Sequence, residues 1–174
     1  MQVEVARTIA ARPTKVFSTV ADVARWPQII GSVSRVERAT SGRPRVGTQL
    51  RIGHVMFGHE VTEELAILEI ERPRRLRLAG EQHGLHYERD HIIDALPTGS
   101  RLTLIFRTRP EAQHEAGRAL KDFLTPFMEI NLRDELEHDL ADFAAAATQS
   151  AQRQVKRRPR PDQSARARHA ISRR

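Results

Sequence analysis

The sequence predicts a single α+β domain: one strand, two short helices, an antiparallel run of six strands and a long C-terminal helix. Three observations predict it. Turn-forming residues divide 32–109 at short intervals, at Ser41-Gly42-Arg43-Pro44, Gly58, Arg72-Pro73, Gly80 to Gly84 and Pro97-Thr98-Gly99-Ser100, with strand-like stretches between them. Residues 114 to 148 are rich in Ala, Leu, Glu, Asp and Arg, with apolar positions at helical spacing and no Gly after Gly117. The length of 174 residues suits one domain, which at about 150 residues buries roughly 70% of its unfolded surface.

Each element follows in order. Val3, Val5 and Ile9 fall at mostly alternating positions, as in a half-buried strand. Pro13 fits the first turn of a helix, where its missing N–H costs nothing, and Val16, Phe17 and Val20 give that helix an apolar face. Trp26-Pro27 is expected to end the next short helix, because a residue before proline is pushed out of the α region. Strands are expected at 33–39, 47–57, 60–71, 74–80, 85–96 and 101–109, and their short connections make them an antiparallel meander. In the last helix Leu120, Phe123, Leu124, Phe127 and Met128 share one face. Leu132, Leu136, Leu140 and Phe143 point more than about 90° away from it, and Pro126 lies at the changeover. The C-terminal half is expected on the sheet. The N-terminal half either tilts away to roof a cavity or packs as a separate short helix, and a register shift explains the change of face equally simply.

Charge divides the chain. The net charge is +7, yet nine of the 29 bases and only one of the 22 acids lie in 150–174, leaving 20 against 21 before it. The domain is near neutral and the basicity is a tail. With almost nothing apolar to bury, 149–174 is expected to be disordered. Residues 152–174 suit an anionic membrane or the phosphates of nucleic acid, each charge near a membrane being worth roughly 1 kcal/mol; an idle, solubilising extension is the equal alternative. Aromatic residues make up 5%, too few for stacking platforms under single-stranded nucleic acid. No run approaches the ~18–20 apolar residues of a membrane span, and Met1-Gln2-Val3-Glu4 lacks the order of a signal peptide. A cytoplasmic location is the default, membrane-peripheral if the tail docks. The absence of Cys removes disulfides and thiolate chemistry.

Few residues carry a chemical signature. There is no Gly-x-Ser-x-Gly, Gly-rich phosphate loop or His-Glu-x-x-His, so no catalytic residue is assigned and no cofactor is expected. His83 and His86 fall on opposite faces of a strand, and no metal site is expected. In 85–96, alternation puts Tyr87, Arg89, His91 and Ile93 on one face, with His86, Glu88, Asp90 and Asp94 on a solvated one. The first set lines a cavity, unless the faces are reversed or Arg89 snorkels at the rim. A buried Arg needs a carboxylate, and Glu63, on the face of Val61, Leu65 and Ile67, is the natural partner. His54 shares a face with Leu50, Ile52 and Met56, as a core residue or a ligand contact. His114 and His138 look like surface positions on the helix.

The run Ile9-Ala10-Ala11-Arg12-Pro13-Thr14-Lys15-Val16-Phe17, followed by Asp22-Val23-Ala24-Arg25-Trp26-Pro27, resembles the opening of the polyketide cyclase/dehydrase and START-related superfamily (SRPBCC), over about residues 2–147. The resemblance implies the helix-grip fold, a curved antiparallel sheet of about seven strands wrapped around the long C-terminal helix. It also implies a ligand-binding domain at 1–148 that encloses an apolar or amphipathic small molecule such as a lipid, isoprenoid, fatty acyl chain or polyketide. Phe123, Leu124, Phe127 and Met128 would then form a lid, Tyr87, Arg89 and His91 a wall, and Trp26 packing at one end. Two other readings are similar to other members: a cyclase or dehydratase using His91, Tyr87 or Arg89, and a chaperone- or ribosome-associated protein acting through the basic tail. Nothing in the sequence bears on oligomeric state.

Overall fold

A computed structural model of the chain describes residues 1–39, 42–56, 59–82, 85–109 and 115–156, without the side chains of 55, 56, 59, 82, 85, 109, 115–128 and 150–156. Strand β1 (Gln2–Ile9) turns Val3, Val5 and Ile9 into the core, and helix α1 (Pro13–Val20) follows with Val16, Phe17 and Val20 buried. After a 3-10 turn at Val23–Arg25 comes the one-turn helix α2 (Trp26–Ile29). Trp26-Pro27 thus opens the second helix and does not end it. Trp26 is helical (φ −53°, ψ −39°), and Pro27 takes a first-turn position that needs no N–H, which outweighs the usual push on its predecessor.

Six strands complete the sheet: β2 (Val33–Arg38), β3 (Gln49–Met56), β4 (His59–Glu71), β5 (Arg75–Gln82), β6 (Leu85–Leu96) and β7 (Gly99–Arg109). The order is β1-β7-β6-β5-β4-β3-β2, antiparallel throughout, so only β1 finds its partner far along the chain. Between β6 and β7, Gly99 holds φ at 143°, and a Cβ there would lie 2.3 Å from the Ile9 carbonyl oxygen. The sequence ends the strand at Gly80 and opens the turn there. Gly80 lies instead within β5, which runs on to Gln82.

Helix α3 (Glu115–Lys156) is continuous through Pro126, not divided there into two helices, and overruns the expected boundary at 148. Residues 157–174 lie outside the described residues. Leu136, Leu140, Phe143 and Ala147 are buried against the sheet and α1. Two carboxylates on this half tie it to the loop before β2. Asp142 accepts from the Gly31 N–H at 2.8 Å, and Asp139 accepts from the Ser32 hydroxyl at 3.1 Å.

Candidate ligand-binding site

Glu63 is the centre of the inner face. Strand pairing sets Ile52 of β3 opposite Glu63 of β4, which leaves His54, two residues on, diagonal to it on the same face. His54 Nε2 lies 2.9 Å from Glu63 Oε2, with both side chains 5% exposed. From the other side Arg89 Nη2 donates to Glu63 Oε1 at 2.9 Å. The Tyr87 hydroxyl donates to the same oxygen.

Tyr87 sits on β6 and Glu63 on β4, so the phenol must cross β5 to reach the carboxylate. It crosses at Gly80, which pairs with Tyr87 on one side and Leu65 on the other. A Cβ on Gly80 would fall 2.5 Å from the Tyr87 oxygen and 2.6 Å from Leu65 Cδ2, so only glycine leaves this passage open. Phe106, paired with Arg89 across β6 and β7, stacks on Tyr87 at 5.1 Å between centroids, and the guanidinium lies 5.9 Å from the Phe106 ring.

Burial pushes the Glu63 carboxyl up, but the Arg89 charge and hydrogen bonds from His54 and Tyr87 outweigh it and hold it at about 2. Burial and the Glu63 charge push the Tyr87 phenol well above its usual range, so it stays a donor. Asp139 approaches Arg89 from α3. Burial, with Glu135 adding to it, raises its carboxyl to about 6 against the pull of Arg89. Not every polar atom is paired. His54 Nδ1 and Arg89 Nε here, and Arg77 Nε on the outer face, are buried with no hydrogen-bond partner among the described residues.

His91 lies on the same face but outside this cluster. Its ring sits 5.9 Å from those of both Trp26 and Phe143, and its Nδ1 donates to the Leu76 carbonyl at 3.3 Å. Burial lowers it to about 4, so it is a neutral core residue. Trp26 is 2% exposed and donates to the Val20 carbonyl, which is a packing role. Phe123, Leu124, Phe127 and Met128 fall in α3, but their side chains lie outside those described, as do residues 83 and 114.

On the outer face Asp90 departs from the solvated position expected of it. Its side chain is 0% exposed, because Arg75 and Arg107 from the flanking strands close over it. Among the described residues no group of three or more His, Asp and Glu is placed to hold a metal ion. Grooves of about 290 and 350 Å³ lie away from Glu63, one between β1 and α3 at Arg133, the other beside α1 at Lys15 and Arg25.

The strand order, the long helix against the sheet and the two short helices after β1 make this a helix-grip fold of the Bet v1/START type. A family model described as polyketide cyclase / dehydrase and lipid transport matches residues 1–148. The chain belongs to that family. Solved structures agree on the fold at low identity. The aromatase/cyclase Zhui from Streptomyces sp. R1128 is 18% identical, with 87% of this chain and 95% of that one covered at a TM-score of 0.67. A START superfamily protein from Mycobacterium smegmatis is also 18% identical, with 85% and 97% covered and a TM-score of 0.64. Ara h 8.0201 is 15% identical, with 86% and 98% covered and a TM-score of 0.62. No curated protein matches the chain.

Sequence reasoning missed two members of the cluster. Gly80 continues the alternation of Leu76 and Leu78, which would have put it on the inner face of β5. Asp139 interrupts the apolar stripe three residues after Leu136 and four before Phe143, a carboxylate where the period calls for an apolar residue.

Proposed function

We propose that the domain binds an apolar small molecule between the inner face of the sheet and α3, with the Glu63 cluster orienting it. The observation that carries this reading is the pair of buried, unpartnered nitrogens, His54 Nδ1 and Arg89 Nε. Buried polar atoms are nearly always hydrogen-bonded, because leaving one unmade costs about 1–3 kcal/mol. A ligand that pairs them recovers that cost and fixes its own orientation, while apolar burial supplies affinity at ~25 cal/mol per Å². On this reading Phe123, Leu124, Phe127 and Met128 close over the ligand, and the basic tail is a docking segment for an anionic membrane. Native mass spectrometry of the freshly purified protein, followed by organic extraction, tests it. A stoichiometric apolar adduct released on denaturation is the expected result; an apo mass that persists after incubation with a panel of lipids and aromatic polyketides sinks it.

One observation favours an enzymatic reading as well. With Nε2 on a carboxylate, His54 has Nδ1 left to take a proton, as abstraction beside a carbonyl requires. Turnover of a poly-carbonyl substrate should then vanish in His54→Gln while the substrate still binds.

A further inference from the structure

Alternate connections of an antiparallel sheet fall at one end. Here the exit of β1 shares an end with the β2–β3, β4–β5 and β6–β7 connections, since Ile9 pairs with Ser100, Arg38 with Leu50, Glu71 with Arg75 and Leu96 with Gly99. In segments 10–12, 38–48, 71–74 and 97–98 six arginines stand exposed: Arg12, Arg38, Arg43, Arg45, Arg72 and Arg74. The one acid among them is Glu71, 3.9 Å from Arg74. The next acids along the strands, Glu37, Glu69 and Asp94, are each matched by an arginine, Arg35, Arg77 and Arg101. This end of the domain is strongly positive.

An apolar tip stands among these charges. The β2–β3 connection finishes in a closed turn, where the Thr48 N–H donates to the Arg45 carbonyl and the Thr48 hydroxyl accepts from the Arg45 N–H, both at 3.0 Å. Gly47, at φ 85°, completes the turn, and its N–H donates to the Ile67 carbonyl at 2.8 Å, fastening it to β4. Val46 and Leu68 flank that bond, 61% and 43% exposed, two of the three large apolar side chains exposed among the described residues. Helix α3 leaves β7 at the opposite end and returns to α1, whose first turn follows Arg12, and the basic 157–174 continue from it in sequence.

We propose that this arginine-rich end docks on an anionic lipid surface, with Val46 entering the headgroup boundary and the arginines meeting lipid phosphates. Nucleic acid would satisfy the charge but give the exposed aliphatic pair no use, because phosphate contacts need no apolar tip. A lipid surface uses both, since apolar burial and attraction to anionic headgroups add. The contact lies outside the inner face, so it stands whether or not that face holds a ligand. It also gives the folded domain a membrane contact of its own, besides that of the tail.

The chain has no Cys, so Val46→Cys and Glu81→Cys can each carry a single polarity-sensitive fluorophore. Glu81, 58% exposed, lies near the other end of β5. Phosphatidylcholine vesicles with about a third phosphatidylserine should shift the Val46 probe to the blue and leave the Glu81 probe unchanged, and pure phosphatidylcholine should shift neither. Joint Arg43→Gln and Arg45→Gln replacement should weaken cosedimentation of the full chain about tenfold at unchanged thermal unfolding. Cosedimentation with a silent Val46 probe means that the tail binds alone, and it would overturn the proposal. So would equal shifts at both positions, an unchanged affinity in the double variant, or no sedimentation with anionic vesicles, whether or not duplex RNA binds.

Discussion

Arg89 and Asp90 are neighbours on β6, and they anchor two ionic clusters of opposite character. Outside, Asp90 accepts from Arg75 Nε at 2.7 Å and Nη2 at 2.5 Å, and from Arg107 Nη1 at 3.1 Å, so both its oxygens are engaged. The arginines that do this are 30% and 36% exposed and keep part of their hydration. Inside, Glu63, His54 and Tyr87 are buried and Arg89 is 18% exposed, yet two of their nitrogens stay open. The outer cluster is a clamp across three strands. The inner one leaves two nitrogens open at its centre, against one, Arg77 Nε, on the outer face.

The comparison can be broken from either side. The largest effect is expected inside: Glu63→Gln strips a buried guanidinium of its counter-charge, and urea denaturation should show a loss of about 3–5 kcal/mol. Next comes Asp139. Its folded value of about 6 lies above the 3.8 of a free Asp, so whatever stability it lends is present below pH 4 and lost as pH rises through 6. Asp139→Asn should therefore gain on the parent protein by about 2 kcal/mol between pH 4 and pH 7, read from paired denaturation curves. His91, lowered to about 4, has the opposite slope over the same window, since the unfolded ring takes up a proton the folded one refuses. With Asp139 replaced, stability should climb more steeply with pH. Gly80→Ala should cost about 2 kcal/mol by overpacking, and a double-mutant cycle with Tyr87→Phe should show coupling between the two positions. The smallest effect belongs outside. Asp90→Asn leaves arginines that water can reach, and thermal unfolding should report a loss of only about 1 kcal/mol.

Much of the fold was legible because its periods are clean. Strand boundaries between Val33 and Arg109 fell within about two residues of those expected, since turn residues and alternation agree there. The pairing of Arg89 with Glu63 was readable from charge and face alone. Other features depend on contacts between distant strands, which one strand's pattern does not contain. Asp90 looks solvated until Arg75 and Arg107 are brought beside it. Gly80 reads as a turn residue until the ring it makes room for arrives from β6. At Trp26-Pro27 two local rules conflict, and the first-turn preference of proline prevailed over the restriction on its predecessor.

Alternation on β6 has one more consequence. A slip of this strand by a single residue would exchange its faces, sending Asp90 into the place of Arg89 opposite Leu78 and Phe106, and Arg89 into the place of Glu88 beside Arg77 and Arg107. An acid would then face apolar rings and three guanidiniums would crowd one patch, so the misaligned sheet fails on both sides at once. Two adjacent residues of opposite sign thereby guard the alignment of the central strands.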